Sequence, residues 1–328
     1  MDIYFTKEWG IVNQHIENGE VKLFELKTEN GSIKNMFILR EIPELIYNKK
    51  YYDIITPYGY GGPYIEEYIE GKKEDLLKVY EEQFSKYCAE NNIVSEFIRF
   101  HPIIENAKDF EKIYDVEYMR HTVGTNLKVE NPVEEEFSKS CKKYINRAIK
   151  KGVTYEIIES PDSLNEFIEV YLSTMDRKHA KEFYYFSKEY FEKCIKLFSK
   201  NIVLVKVNFN GEIIAAGFYL KYGTILHAHL SGTKSEFLEL SPAYIIKYAM
   251  TIWGKENGYT LIHHGGGTSN SIEDSLYQFK LKFTKNTIFN FYAGKKIWNK
   301  KIYNEIVRIK KLTFEEKKSK YFPIYRMR

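Results

Sequence analysis

The feature that most constrains this chain is three apolar runs laid end to end, residues 202–208, 212–221 and 224–231, separated only by Asn210-Gly211 and Tyr222-Gly223. Such pairs supply the positive-φ residues of tight hairpin turns, so the runs predict three consecutive strands. Before them the pattern predicts a strand (154–158) and two helices (162–174 and 187–200). After them it predicts a helix (242–256), a strand (259–263), a helix (274–283), a strand (288–293) and a basic helix (300–311). From residue 154 the order is therefore β-α-α-β-β-β-α-β-α-β, an α/β (α+β) chain.

The first third repeats a shorter version of this logic. A hairpin over 21–41 turns at Glu29-Asn30-Gly31, and a strand (51–55) breaks at the loop TPYGYGGP, Thr56 to Pro63. Two prolines and three glycines in eight positions exclude a helix or a central strand there. A helix (73–91), a strand (93–100), a short helix (107–113) and a strand (118–129) follow. Glu130-Asn131-Pro132 reads as a boundary, and 328 residues exceed what one core usually holds. The expected domains are 1–131, 132–294, and a basic helix and tail, 295–328, packing back on them.

Charge is unevenly placed. The helix expected over 133–151 carries Lys139, Lys142, Lys143, Arg147, Lys150 and Lys151, with no acid after Glu136. Such a helix complements its own dipole or faces phosphate. From Lys295 onward twelve basic residues, among them Lys317, Arg326 and Arg328, face only Glu305, Glu315 and Glu316. That tail is either a solvated helix face or a contact for nucleic acid, a nucleotide diphosphate or anionic lipid. Three scattered cysteines show no disulfide or metal spacing, so no metal site is expected and a reducing cytoplasm fits. MDIYFTKEWG is not a signal peptide, and no apolar run is long enough to span a bilayer.

The stretch from His263 to Phe283, HHGGGTSNSIEDSLYQFKLKF, is the best candidate site. An apolar strand enters two histidines, three glycines and a polar loop, then a helix rich in aromatics and lysine. Glycine lets backbone N–H groups approach a ligand, and a helix start adds positive potential. Strand alternation sends His263 and His264 to opposite faces, and places His227 and His229 on one face of the neighbouring run.

The element order resembles the GNAT acyltransferase fold, in which a V-shaped opening between the fourth and fifth strands holds the acyl donor. Counted from residue 154, those strands are 224–231 and 259–263. Two tandem GNAT-like domains with mixed, mostly antiparallel sheets characterise the FemABX family of aminoacyl-tRNA-dependent peptidoglycan transferases and related acyltransferases. The phrases YGYGGP (Tyr58 to Pro63), RFHP (Arg99 to Pro102), KYINRA (Lys143 to Ala148), HLSGT (His229 to Thr233), LSPAY (Leu240 to Tyr244) and LYQFK (Leu276 to Lys280) are similar to that group. The glycine-rich pyrophosphate motif of a typical GNAT is missing, because TKSEFLELS (Thr233 to Ser241) holds no glycine. That departure favours an aminoacyl-tRNA or an unusual acyl donor over ordinary acetyl-CoA, while Ser241, Tyr244 and the helix start could still meet a phosphate. The long helical hairpin that some Fem proteins use for tRNA is absent.

Acylating an amine requires a neutral amine, a nearby carbonyl and donors for the developing oxyanion. His264, His229, Asp274 and Lys280 are the candidate catalytic residues, with His263 the alternative base. Candidate substrate contacts are Tyr58, Tyr60, Gly61, Arg147, Asp176, Arg177, Tyr185, Ser231, Ser241, Tyr244, Gly265, Gly266 and Tyr277. The resemblance implies transfer of an aminoacyl or acyl group to an amine of a cell-envelope or glycan precursor. No permanent cofactor is expected, the donor being aminoacyl-tRNA or acyl-CoA, and the basic tail offers a peripheral membrane contact. The alternatives are an acyl-CoA-dependent N-acetyltransferase of amino sugars or surface polysaccharide, and a non-catalytic GNAT-like module that binds RNA.

Overall fold

The structure is a computed structural model that describes residues 1–327. Arg328 lies outside the described residues, as do the side chains of Phe314 and Lys317. In chain order the first elements are α1 (Lys7–Asn13), β1 (Glu20–Thr28), β2 (Gly31–Glu41), β3 (Tyr52–Ile55), β4 (Tyr64–Tyr68), α2 (Lys73–Glu90), β5 (Ile93–Arg99), α3 (Ala107–Phe110) and β6 (Asp115–Asn126). Then come α4 (Pro132–Glu136), α5 (Lys139–Lys150), β7 (Thr154–Glu159), α6 (Asn165–Arg177), α7 (Lys188–Phe198), β8 (Ile202–Phe209), β9 (Glu212–Tyr222), β10 (Ile225–Thr233), α8 (Pro242–Glu256), β11 (Leu261–Gly265) and α9 (Ser275–Leu281). The chain closes with β12 (Ile288–Ile297), α10 (Lys300–Ile309) and α11 (Phe314–Lys317). Two compact units result: Met1–Ile3 with Arg120–Asn290, and Tyr4–Met119 with the residues from Phe291 on.

Two local expectations are corrected. The single helix expected over 133–151 is two, α4 and α5, because Ser138 leaves the helical region and its hydroxyl caps Cys141 N. Helix α1 and strand β4 are also present where no element was expected; α1 starts at Thr6, whose hydroxyl accepts from Trp9 N.

In the Tyr4–Met119 unit the strand order is β1-β2-β3-β5-β12, with β4 pairing β2. All its named pairs are antiparallel except β3 with β5, which α2 connects. Leu76, Leu77, Tyr80 and Phe84, at helical spacing on α2, pack into the core with Ile33, Phe37, Ile54 and Ile98. Several of the described basic residues from Lys295 on are paired with acids of the same unit. Lys295 and Lys320 pair with Glu117, Lys296 with Glu81, Lys310 with Glu44, and Arg326 with the buried Asp53, which Arg40 also engages. Part of the basic tail is thus engaged in ion pairs within its own unit.

The Arg120–Asn290 unit has the strand order β6-β11-β10-β9-β8-β7, antiparallel throughout except for β10 with β11. Alternation along β9 sends Tyr219 toward α8 and Phe218 toward α6 and α7. On one face Cys141 and Ile145 of α5 and Ile245, Ile246, Ala249 and Met250 of α8 cover the sheet. On the other, Phe167 and Phe191 meet Phe218.

Glu96 of β5 is buried and accepts from Asn35 Nδ2 (2.8 Å), Tyr114 Oη (3.0 Å) and Trp298 Nε1 (3.0 Å). Burial raises its pKa to about 7, against the opposing pull of those donors. The folded state therefore holds a proton that the unfolded chain releases at ordinary carboxyl pH, so stability falls as pH rises from about 4.5 to about 7. The expected total is about 3 kcal/mol. Urea titrations at pH 5 and pH 8 check this, and Glu96→Gln should flatten the difference, with the Asn35 amide turned to present its oxygen.

Candidate functional site

Strands β10 and β11 run parallel over three residue pairs, Ile225↔Leu261, Leu226↔Ile262 and His227↔His263. Beyond that point β10 stays with β9 as far as Thr233↔Ala215, and β11 stays with β6 to Gly265↔Val123. Each strand carries a register shift just past the last shared pair, between Ala228 and Leu230 and between His263 and Gly265. Bulges there bend and twist each strand toward its outer partner, so the two diverge. The residues within the bulges are His229 and His264.

Two histidines close the apex. His227 Nδ1 lies 3.3 Å from His263 Nδ1, His227 Nε2 lies 2.8 Å from Asp2 Oδ2, and His263 Nε2 lies 2.9 Å from Thr122 Oγ1. All four side chains are buried. The two facing nitrogens share one proton, since two N–H groups cannot bond each other.

His264 turns to the α8 side. Its Nε2 meets Thr125 Oγ1 at 2.8 Å, and Thr125 Oγ1 donates to Phe283 O at 2.6 Å. The hydroxyl has one proton, so His264 Nε2 carries its own and its Nδ1 is left to accept from Lys247 Nζ at 3.2 Å. Burial, then the charges of Lys247, Lys280 and His263, hold His264 well below the usual histidine range. Burial, then Lys280, lowers Lys247 to about 7. The ionisable member of this pair is therefore Lys247, 7% exposed and lying over the Tyr219 ring. Sequence reasoning missed it. The available signal was a lysine on the apolar stripe of a helix, three residues before Met250 and four after Ala243.

The glycine turn is built around Asp274. Its Oδ1 accepts from Leu276 N and Tyr277 N, capping α9. Its Oδ2 accepts from the backbone and hydroxyls of Thr268 and Ser269, which makes six hydrogen bonds to one carboxylate. Burial alone would raise this acid, but those bonds prevail and hold it far below the carboxylate range. With both oxygens engaged, Asp274 organises the loop and is no base. Gly265 sits at φ +71°, and a Cβ at Gly267 would lie 2.4 Å from Asp274 Oδ1, so glycine is required at both positions. The carbonyls of Gly266 and Gly267 accept from Lys280 Nζ (2.6 Å) and Arg120 Nη1 (2.7 Å). Burial, together with Arg120 and Lys178 and against Asp274, lowers Lys280 to about 8.

The other expected residues are placed as follows. His229 meets Tyr190 Oη at 2.8 Å and packs on Phe218; burial, then His227, lowers it to about 3. Arg177 bonds Thr233 O and Oγ1 and so fixes the end of β10, while Asp176 meets Tyr185. Ser231 is exposed beyond the bulge. Ser241 precedes α8 at φ +56° without making a side-chain cap. Tyr244 accepts from Lys282 Nζ at 2.9 Å, and Tyr277 is buried. Arg147 lies on the exposed basic face of α5, away from its buried Cys141, Ile145 and Ala148. Tyr58, Tyr60 and Gly61 belong to the other unit, where Gly61 N donates to Arg99 O and Gly61 O accepts from Asn106 Nδ2.

Residues 136–280 match the family described as an acetyltransferase (GNAT) domain. A curated relative, the UDP-N-acetylmuramoylpentapeptide-lysine N(6)-alanyltransferase of Weissella viridescens, is 27% identical over 175 residues. That match covers 52% of this chain and 51% of the relative, so the chain spans about half the length of the curated relative it matches. The crystal structure of FemX superposes with a TM-score of 0.70 at 12% identity, covering 93% of this chain and 94% of that one. The C-terminal domain of a putative lysylphosphatidylglycerol synthetase from Agrobacterium fabrum gives a TM-score of 0.58 at 14% identity, covering 87% of each. The chain thus carries a GNAT-like domain, and its fold is that of FemX.

Two measurements check the electrostatics. In spectra of the protein with ¹³C-labelled lysine, one side chain should titrate near pH 7 and vanish in Lys247→Met; ordinary midpoints for every lysine would contradict the pairing. Asp274→Ala should cost about 2–4 kcal/mol of stability, as expected for losing a helix cap and several charge-assisted bonds; a loss under about 0.5 kcal/mol would show that the loop does not depend on it.

Proposed function

We propose that this chain is an acyltransferase that moves an aminoacyl group from a charged tRNA to an amine of a peptidoglycan precursor. The observation that carries the reading is the opening past His227↔His263, which lies within a GNAT-like domain related to a lysine alanyltransferase. The reaction asks little of the protein. The neutral amine attacks the ester carbonyl, a C–N bond forms, the ester C–O bond breaks, and the amine proton leaves with the released hydroxyl. Lys280, a cation at the glycine turn, is the candidate donor to the developing oxyanion. The buried His264–Lys247 pair supports β11 from behind.

The turn entering α8 lacks the glycines of a pyrophosphate nest and engages several of its N–H groups, which supports a tRNA donor over acyl-CoA. A pyrophosphate nest needs free backbone N–H groups at that helix start. Here Lys234 N donates to Ile214 O, Phe237 N to Lys234 O, Ser241 N to Leu238 O and Tyr244 N to Ser241 O. Pro242 has no N–H to give. The reading places the reaction at the cytoplasmic side of envelope synthesis; no helix among the described residues is long and apolar enough to cross a membrane.

The test is incubation of the chain with alanyl-tRNA and a UDP-linked muramoyl pentapeptide, read by mass spectrometry. The expected result is a product heavier by one aminoacyl residue, with acetyl-CoA inactive as donor. Lys280→Met should lower kcat by about 10²-fold at near-constant stability. A saturable melting shift with free CoA, together with acetyl transfer, would replace this reading by the acyl-CoA one. Tight RNA binding with no transfer from any donor would favour the non-catalytic module.

A further inference from the structure

Arg120 is the cation that neither the fold nor the proposed transfer step accounts for. It opens its unit on β6, beside the glycine turn, and its Nη1 donates to the Gly267 carbonyl at 2.7 Å. Its Nε is buried and has no partner. The adjacent carbonyl, Gly266 O, holds Lys280 Nζ at 2.6 Å. Two cationic head groups are therefore fixed on successive carbonyls of one loop. Neither bonds an acid among the described residues. The carboxylate of the same loop, Asp274, directs both oxygens at Thr268, Ser269, Leu276 and Tyr277. Lys178 adds a third positive charge to the neighbourhood, and Lys247 a fourth ionisable group on the α8 side.

Bringing like charges together in a half-buried place is unfavourable unless an anion joins them. The loop itself supplies a reason for the arrangement. Gly266 lies where a Cβ would stand 2.9 Å from His121 O and 3.0 Å from Arg120 Cδ, so the backbone and the Arg120 stem are in contact. The guanidinium is held by its stem and by Nη1, which leaves Nε as the donor in need of an acceptor.

We propose that Arg120 and Lys280, held on the carbonyls of Gly267 and Gly266, form a binding subsite for a phosphate group of a substrate. A planar guanidinium fork beside an ammonium point charge suits a tetrahedral oxyanion with several acceptor oxygens. A carboxylate would neutralise one charge and leave the second unmatched. Only the source of the phosphate rests on the transfer reading: it is the diphosphate of a nucleotide-linked acceptor or a phosphodiester near the 3′ end of an RNA donor.

The test is calorimetric titration of the full chain with pyrophosphate, with uridine diphosphate, with a CCA trinucleotide, and with acetate as the carboxylate control. Pyrophosphate should bind saturably, and Arg120→Gln should weaken it about tenfold, as for loss of a charge-assisted bond. Arg120→Lys should recover part of the affinity. Tighter binding of the diphosphate than of the trinucleotide assigns the acceptor as the source, and the reverse assigns the donor. The proposal is overturned if no phosphate binds saturably, if Arg120→Gln binds as wild type does, or if acetate competes equally. Should Arg120→Gln fail to fold, weaker binding by Lys280→Met beside retained binding by Arg120→Lys supports the subsite, and equal binding by both overturns it. Because no turnover is read, a protein that binds pyrophosphate but transfers nothing sinks the transfer reading and leaves the subsite standing.

Discussion

Three residue pairs of parallel ladder join β10 to β11, and the site depends on where that ladder stops. Each strand is held on its outer side by an antiparallel partner, β9 for β10 and β6 for β11. Neither can swing free, so divergence has to be built into the strands themselves, and the bulges at His229 and His264 do this. The facing edges beyond His227 and His263 then have no ladder partner in each other. Backbone polar groups need partners, which makes such a divide a natural place for a substrate's amide or ester. The buried relay Asp2, His227, His263 and Thr122 closes the narrow end through hydrogen bonds.

The charge arrangement follows from the same geometry. Asp274 is the acid at the turn, and the loop consumes it completely. Burial lowers both lysines first; the charge of Lys280 then lowers Lys247 further, and those of Arg120 and Lys178 lower Lys280. A site of this kind has little tolerance for another cation and a strong preference for negative charge, whether a fixed anion or one that develops during transfer. It also explains why His264 is a weak candidate for a base. A histidine flanked by two lysines gains a proton only at their expense, and its two nitrogens are already engaged by Thr125 and Lys247.

Much of this was legible in the sequence because hairpin turns and period-two apolar runs are local signals. The strands 202–208, 212–221 and 224–231 emerge as β8, β9 and β10 within two residues at each end. The opposite orientation of His263 and His264 followed from alternation alone. What the sequence hid was pairwise chemistry. Asp274 reads as a candidate base until six donors are seen to converge on it. Lys247 reads as one more lysine until α8 is docked with that position inward. The basic run after Lys295 reads as either a solvated face or a polyanion contact because its partners, Glu44, Asp53, Glu81 and Glu117, lie far away in sequence. The break between α4 and α5 was hidden by Ser138, a residue that tolerates a helix interior as well as a cap.

The second unit shows why one opening, not two, is the candidate. It also has a single parallel pair among its named pairings, β3 with β5, bridged by a helix and flanked by antiparallel strands. Past Ile55↔Phe97, however, its own chain occupies the divide. The loop from Thr56 to Pro63 bridges back to Phe100 through Gly61. Arg99 donates to Thr56 O and Pro57 O, and Asn106 to Gly61 O and Pro63 O. Tyr60 is wedged among Tyr4, His101 and Phe291. The polar group buried in this core, Glu96, is ringed by donors from Asn35, Tyr114 and Trp298 and has no lysine neighbour like Lys247 of the other unit at hydrogen-bond distance. The same strand pattern thus yields a divide bridged by its own loop in one unit, while in the other β10 and β11 part beyond His227↔His263. What separates them is a proline- and glycine-rich loop that turns inward after β3, where β10 is followed by a tight 3₁₀ turn and α8.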